Sequence, residues 1–291
     1  MPLKNKSTIK NLSKDKSTKN IIGVFDSGLG GLTILKHFLR ELPDYNYIYL
    51  GDNARLPYGE KSPETIYQYS REAVDWLFKQ GCNLIILACN TASAQALRRL
   101  QQEYLPTNYP SRRILGIVKP LAEKIAADKK IKSIGVIGTK ATINSGTYKI
   151  ELQKIHPNLN VEQRATPLLV PLIEEDWANK PETKMILKKY LHPLKTKQVN
   201  ALILGCTHYS FLYREIKKIM GRRVSVPHPG DIVAASLKDY LKRHKELGLT
   251  LSTEPACYYR TTDSPGLFKK LGEKFLGQKI EDLKQVSITE L

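Results

Sequence analysis

Cysteine is scarce in this sequence: four residues in 291 (Cys82, Cys89, Cys206 and Cys257), none of them in a C-x-x-C pair. Neither a disulfide framework nor a structural zinc site is expected from so few, and reduced thiols in a reducing compartment fit best. Long apolar runs are missing too. No stretch reaches the roughly 18 to 20 residues that cross a bilayer, so no membrane partner is expected. The first twenty residues are polar throughout and lack the apolar centre of a secretory signal, so a cytoplasmic protein is expected. No G-x-x-x-x-G-K-[ST] phosphate loop occurs, and "DSGLGG" (26–31) is followed by Thr33 where a dinucleotide fingerprint has its third glycine. Nucleotide binding is therefore not expected.

Acidic residues are also few, 28 against 46 Lys and Arg, leaving a net charge of +18. Part of the excess is local: Lys4, Lys6, Lys10, Lys14, Lys16 and Lys19 face Asp15 alone, and residues 1–20 read as a disordered basic tail. The remainder lies in short runs such as Lys129-Lys130, Lys188-Lys189 and Lys217-Lys218, without interleaved aromatics or a recognition helix. A solvated basic surface is expected, with no specific nucleic-acid partner. What is present otherwise, 41% hydrophobic and 25% charged residues, is ordinary for a globular protein, and the length favours two domains.

From residue 21 short β-branched runs alternate with longer helical patterns. Strands are expected at 21–25, 45–50, 83–88, 112–117, 132–138, 200–205 and 222–227, with helices over 64–80, 92–104, 120–129 and 145–155. Strands spaced by helices of this length build βαβ units, so the fold class is α/β with mainly parallel sheets. An internal repeat overlays "IGVFDSG" (22–28) on "IGVIGTK" (134–140), and "LIILACNT" (84–91) on "LILGCTH" (202–208). Two pseudo-symmetric halves follow, each ending one strand on a cysteine with polar followers.

A duplicated cysteine with duplicated polar followers is hard to explain by packing alone. Ligands in open parallel sheets sit beyond the carboxyl ends of strands, which is where Cys89 and Cys206 fall. Racemisation at carbon needs a base on one face and an acid on the other, exchanging roles with direction. Two thiols from related halves that face one cleft meet that demand. His208 can tune or reprotonate Cys206, and Asp26, at the end of the first strand, can accept a proton from Cys89 or orient it. Asn90, Thr91 and Thr207 supply donors for an amino-acid carboxylate.

The ordered set "GVFDSGLGGLT" (23–33), "GDNARLPYG" (51–59), "ACNTA" (88–92), "GVIGTKATINSGTY" (135–148), "VPLIEE" (170–175) and "GCTHY" (205–209) resembles the bacterial glutamate racemases of the aspartate/glutamate racemase family. The closing segment 260–277 is similar as well. The resemblance implies interconversion of L- and D-glutamate without pyridoxal phosphate, other cofactor or metal, supplying D-glutamate for peptidoglycan. It implies proton transfer by Cys89 and Cys206, assisted by Asp26 and His208, with Glu174 as a further polar neighbour. Substrate contacts are implied at Asp26, Ser27, Tyr58, Gly59, Asn90, Thr91, Thr207 and His208, with Thr142 as a lesser one. The family fold places a first domain at 21–116 plus 227–291, a second at 117–226, and the active site in the cleft between them; a homodimer is left open. The lysine-rich tail, Lys119 and "VPHPGDIVAAS" (226–236) depart from the family pattern.

Other residues have plainer readings. Cys82 and Cys257 read as half-buried thiols, and His37, His156, His192, His228 and His244 as surface or satisfied core residues. Asp26 alone would read as a helix cap, Tyr58 as a packing aromatic and Glu174 as a solvated acid. Two competing functions stay open: a related racemase acting on aspartate, whose second motif resembles "CTE" rather than "CTH", and a noncatalytic binder of small anions or nucleic acid.

Overall fold

The computed structural model describes residues 20–289. The tail expected over 1–20 falls, apart from Asn20, outside the described residues. The chain forms two parallel sheets. The larger is ordered β4-β3-β1-β2-β8-β9, from β1 (Ile21–Asp26), β2 (Asn46–Gly51), β3 (Cys82–Leu87), β4 (Arg113–Gly116), β8 (Cys257–Thr261) and β9 (Leu283–Gln285). The smaller is ordered β6-β5-β7, from β5 (Ser133–Gly138), β6 (Asn160–Ala165) and β7 (Ala201–Gly205). The inner trio β3-β1-β2 of one sheet has the same order as β7-β5-β6 of the other, so β3 and β7, the strands that lead to the two cysteines, occupy equivalent positions. We refer to the two sheets with their helices as the first and second lobes.

The alternating side chains of β1 show how the first sheet is held. Ile22 and Val24 pack on one face with the helices Leu32–Glu41, Val118–Ala126 and Pro229–Arg243, while Ile21 and Phe25 pack on the other with Leu77 and Phe78 of the helix Pro63–Lys79. Both faces are covered, which is why these strands read as continuous apolar runs. The Pro63–Lys79 helix begins as its sequence suggests: the Thr65 amide donates to the Ser62 hydroxyl at 3.2 Å and proline fills the first helical position. The first core cluster also runs through Val118–Ala126 into Ile134, Val136 and Leu202, so apolar packing is continuous between the lobes.

Some expectations fail for identifiable reasons. Residues 222–227 form only one bridge, Ala201 to Ser225, because Arg222, Arg223 and Ser225 are solvent-exposed and Pro227 and Pro229 cannot donate to a ladder. The helix expected over 92–104 starts at Asn90 and widens to a π turn over Leu100–Tyr104, just ahead of Pro106, whose ring and missing N–H disturb regular α geometry. β6, β8 and β9 were not anticipated. Cys82 is wholly buried rather than half-buried. Among the described residues no helix is long and apolar enough to cross a membrane.

Candidate active site

In parallel sheets all strands point one way, so the carboxyl ends of β1, β3, β5 and β7 open on one side, and the lobes bring these ends together. Cys89 is separated from the end of β3 by one residue, Ala88, and caps the helix Asn90–Gln95, whose Ala92 amide donates to its sulfur at 3.5 Å. Ser27, just after β1, places its hydroxyl 3.4 Å from the same sulfur. Cys206 directly follows β7 and leads into a 3-10 turn over Thr207–Leu212. Its sulfur lies 3.9 Å from His208 Nδ1, and His208 Nε2 lies 3.0 Å from Glu174 Oε1. A chain of groups thus runs from Cys206 through imidazole to a carboxylate.

One cavity of about 270 Å³ joins these parts. Its wall includes Cys89, Cys206, His208, Glu174, Ser27, Tyr58, Gly59, Asn90, Thr91 and Thr207. Both cysteines are nearly closed to bulk water, at 6% and 7% exposure. A larger hollow of about 800 Å³ lies around Leu97, Ile150 and Tyr240, but neither sulfur nor His208 reaches it, so it is not a place for this chemistry.

Asp26 is placed differently from expectation. It is 1% exposed and lies outside the cavity wall, accepting the Gly28 amide at 2.9 Å through Oδ1, while its buried Oδ2 has no partner among the described residues. Burial raises its pKa, opposed by the His208 charge and the Gly28 and Gly31 amides. Burial also pushes the Cys89 thiol up to about 12, with the Asp26 charge adding to the effect and the Ser27 and Ala92 hydrogen bonds reducing it. His208 behaves in the opposite sense. Burial alone would lower it, but its contacts with Cys206 and Glu174 prevail and raise it to about 10, so the ring is cationic at neutral pH.

The remaining residues hold the lobes in register. Thr91 Oγ1 lies 3.0 Å from Thr139 Oγ1 and 3.2 Å from Thr142 Oγ1, linking the first cysteine motif to the turn after β5. Thr142 is buried behind this contact and does not line the cavity. The Thr33 hydroxyl donates to the Thr207 carbonyl at 3.3 Å. Gly30 is where the glycine-rich loop meets the second motif: a Cβ there would sit 2.1 Å from Thr207 Oγ1 and 2.6 Å from His208 Nδ1, so only glycine fits. Tyr58 gives the cavity its ring and backbone, since its hydroxyl already donates to Asp52 Oδ2 at 2.5 Å.

Tyr148 was missed. This fully buried residue of the helix Thr147–Ile155 donates its hydroxyl to Asn90 Oδ1 at 2.5 Å, from one lobe to the other. With its oxygen engaged, the Asn90 amide is fixed in one orientation, leaving its NH2 as the group with donors to spare. Tyr148 closes the "GVIGTKATINSGTY" motif, which was the available signal.

A family model described as Asp/Glu/Hydantoin racemase matches residues 27–237, a span that begins at Ser27 and includes both cysteine motifs. The chain belongs to the Asp/Glu/hydantoin racemase family. Among its relatives in that family, a protein named glutamate racemase from Geobacter metallireducens is 40% identical over 267 residues, covering 92% of this chain and 96% of the relative. The crystal structure of glutamate racemase from Francisella tularensis, in complex with D-glutamate, superposes with a TM-score of 0.84 at 34% identity, covering 94% of this chain and 98% of that one. The aspartate racemase of Picrophilus torridus reaches a TM-score of 0.52 at 20% identity, which shows a shared fold alone.

Proposed function

We propose that this racemase-family chain is a glutamate racemase that works through its two cysteines, one thiolate removing the Cα proton while the opposite thiol protonates the other face. The observation that carries the reading is that Cys89 and Cys206, supplied by different lobes and both nearly shielded from bulk water, line one small cavity. At about 270 Å³ this cavity lies just below the usual range for ligand pockets, roughly 300–1,000 Å³, which suits an amino acid better than a nucleotide. The Asn90 amide and the Thr91 and Thr207 hydroxyls supply carboxylate donors. The low exposure of both sulfurs limits the access of bulk water to the proton-transfer positions.

Protons move on each side through that side's own groups. At Cys206, the cationic His208 can return a proton to the sulfur and, once neutral, take one back, with Glu174 holding the ring and its charge. At Cys89 the resting group is a thiol, ready to donate; in the reverse direction it must ionise, and Asp26, raised by burial, is the nearby carboxyl whose proton affinity is brought closer to a sulfur's. D-glutamate made this way would serve peptidoglycan synthesis in the cytoplasm.

The test is to incubate the protein with L-glutamate, without pyridoxal phosphate or metal, and follow circular dichroism. The signal should decay to zero, and L-aspartate should keep its signal. Decay with aspartate alone would redirect the assignment to an aspartate racemase. No decay with either would leave the noncatalytic binder.

A further inference from the structure

We propose that His37, His228 and Asp231 form a binding site for one divalent first-row transition-metal ion, outside the cysteine cavity. His37 lies on the helix Leu32–Glu41; His228 and Asp231 lie at the start of Pro229–Arg243, where the chain turns back toward the first sheet. In sequence the two histidines lie 191 residues apart and have ordinary readings, and folding brings them together.

One ligand atom from each residue fits within 4.8 Å of the others. His37 is 8% exposed, and its Nδ1 and the Nδ1 of His228 are buried without a hydrogen bond. Asp231 Oδ1 stands only 2.9 Å from His37 Nδ1, an ion-pair distance at which the carboxylate oxygen is off the line of a good N–H···O bond. That combination suits chelation: with metal–nitrogen and metal–oxygen bonds of about 2.0–2.2 Å, a 2.9 Å separation subtends about 90° at the ion, the angle between neighbouring ligands of an octahedral or square-based site.

The surroundings hold the donors in place. The two imidazole rings lie 4.7 Å apart, and Tyr213 packs edge-on against His228. His37 lies against the helix start so closely that a Cβ on Gly230 would come 2.3 Å from its Cδ2. Arg40 donates to Asp231 Oδ1 at 2.8 Å, an outer contact that orients the carboxylate, and one such bond leaves other carboxylate lone pairs for a metal. The Arg40 side chain is 56% exposed, so water screens its charge. Two imidazoles and one carboxylate favour zinc, cobalt, nickel or copper over calcium and magnesium, which prefer oxygen. A bound ion would pin the returning segment to the first helix and stabilise the fold by mass action.

The probe is Co2+, titrated into the chelator-stripped full chain and followed by visible absorption, calorimetry and thermal unfolding. One equivalent should bind with a nitrogen and oxygen spectrum, no thiolate charge-transfer band, and a rise in the unfolding midpoint. His37→Gln and His228→Gln should each weaken binding about tenfold or more, whereas Cys206→Ser should leave it unchanged. Asp231→Asn, at a side chain 56% exposed, should also weaken it and guards against misfolding of the histidine variants. A thiolate band, absence of binding, or equal binding by the His37→Gln/His228→Gln double variant would overturn the site. Because every readout is metal binding or unfolding, failure here is distinct from failure of the racemase reading.

Discussion

The two cysteine ends of the cavity look alike in sequence and differ in the groups behind them. Cys89 is backed by a hydroxyl, an amide and a buried carboxyl outside the cavity wall, whereas Cys206 is backed by an imidazole tied to a carboxylate. The repeated strand supplies position, and the residues after it supply proton chemistry. Such asymmetry cannot favour one direction overall. The equilibrium constant of a racemisation is one, so kcat/KM must be equal for both directions in every active variant. The difference between the ends has to show in kcat and KM separately, and in exchange without inversion.

The largest effect that would break the comparison comes from removing either sulfur. Cys89→Ala and Cys206→Ala should each abolish inversion in both directions, a loss beyond the 10²–10⁴-fold typical of one acid–base group. Any residual Cα exchange, read by NMR in heavy water, should be confined to one enantiomer in each variant and to opposite enantiomers in the two. Near-normal turnover in either would show that one end suffices.

Next in size are the supporting groups. His208→Asn should lower kcat by about 10²-fold, measured by coupled assay, and Glu174→Gln by less, since the imidazole stays. His208 also gives a stability signature. Folding raises it from 6.5 to about 10, so its contribution is whole below 6.5 and is lost as pH rises through about 10. The wild-type unfolding midpoint should therefore fall relative to His208→Asn across that interval.

On the other side, Asp26→Asn should lower kcat while raising the unfolding midpoint by calorimetry. The carboxyl is buried, its Oδ2 has no partner among the described residues and its pKa is raised, so its ionised form is a cost to the fold at neutral pH that function retains. Smallest is Tyr148→Phe. Freeing the Asn90 amide should cost about 0.5–1.5 kcal/mol, roughly a 2- to 12-fold loss in kcat/KM, carried mostly by KM because Tyr148 touches no reacting atom.

How much of this was legible follows from where the signals lie. Cys89 and Cys206 were readable because a buried strand that stops at a thiol and turns polar leaves a sharp local pattern, and the pattern occurs twice. β6, "NVEQRA", was not readable, since it is an edge strand whose residues are mostly half-exposed and carry little apolar alternation. Asp26 was legible as a strand-end carboxyl but not as one held behind the cavity wall, because depth depends on how Gly28, Gly30 and Gly31 let the loop fold over it. Tyr148 bonding to Asn90, and His37 meeting His228, join distant parts of the chain and have no spacing to announce them.

The most direct measurement of the two-thiol account follows the Cα hydrogen when L-glutamate is converted by the wild-type protein in heavy water, sampled early. The account predicts deuterium in the D-glutamate formed and protium in the L-glutamate remaining, because each face is served by its own sulfur. Protium carried over into the product, or deuterium entering the unreacted substrate as fast as product forms, would contradict it.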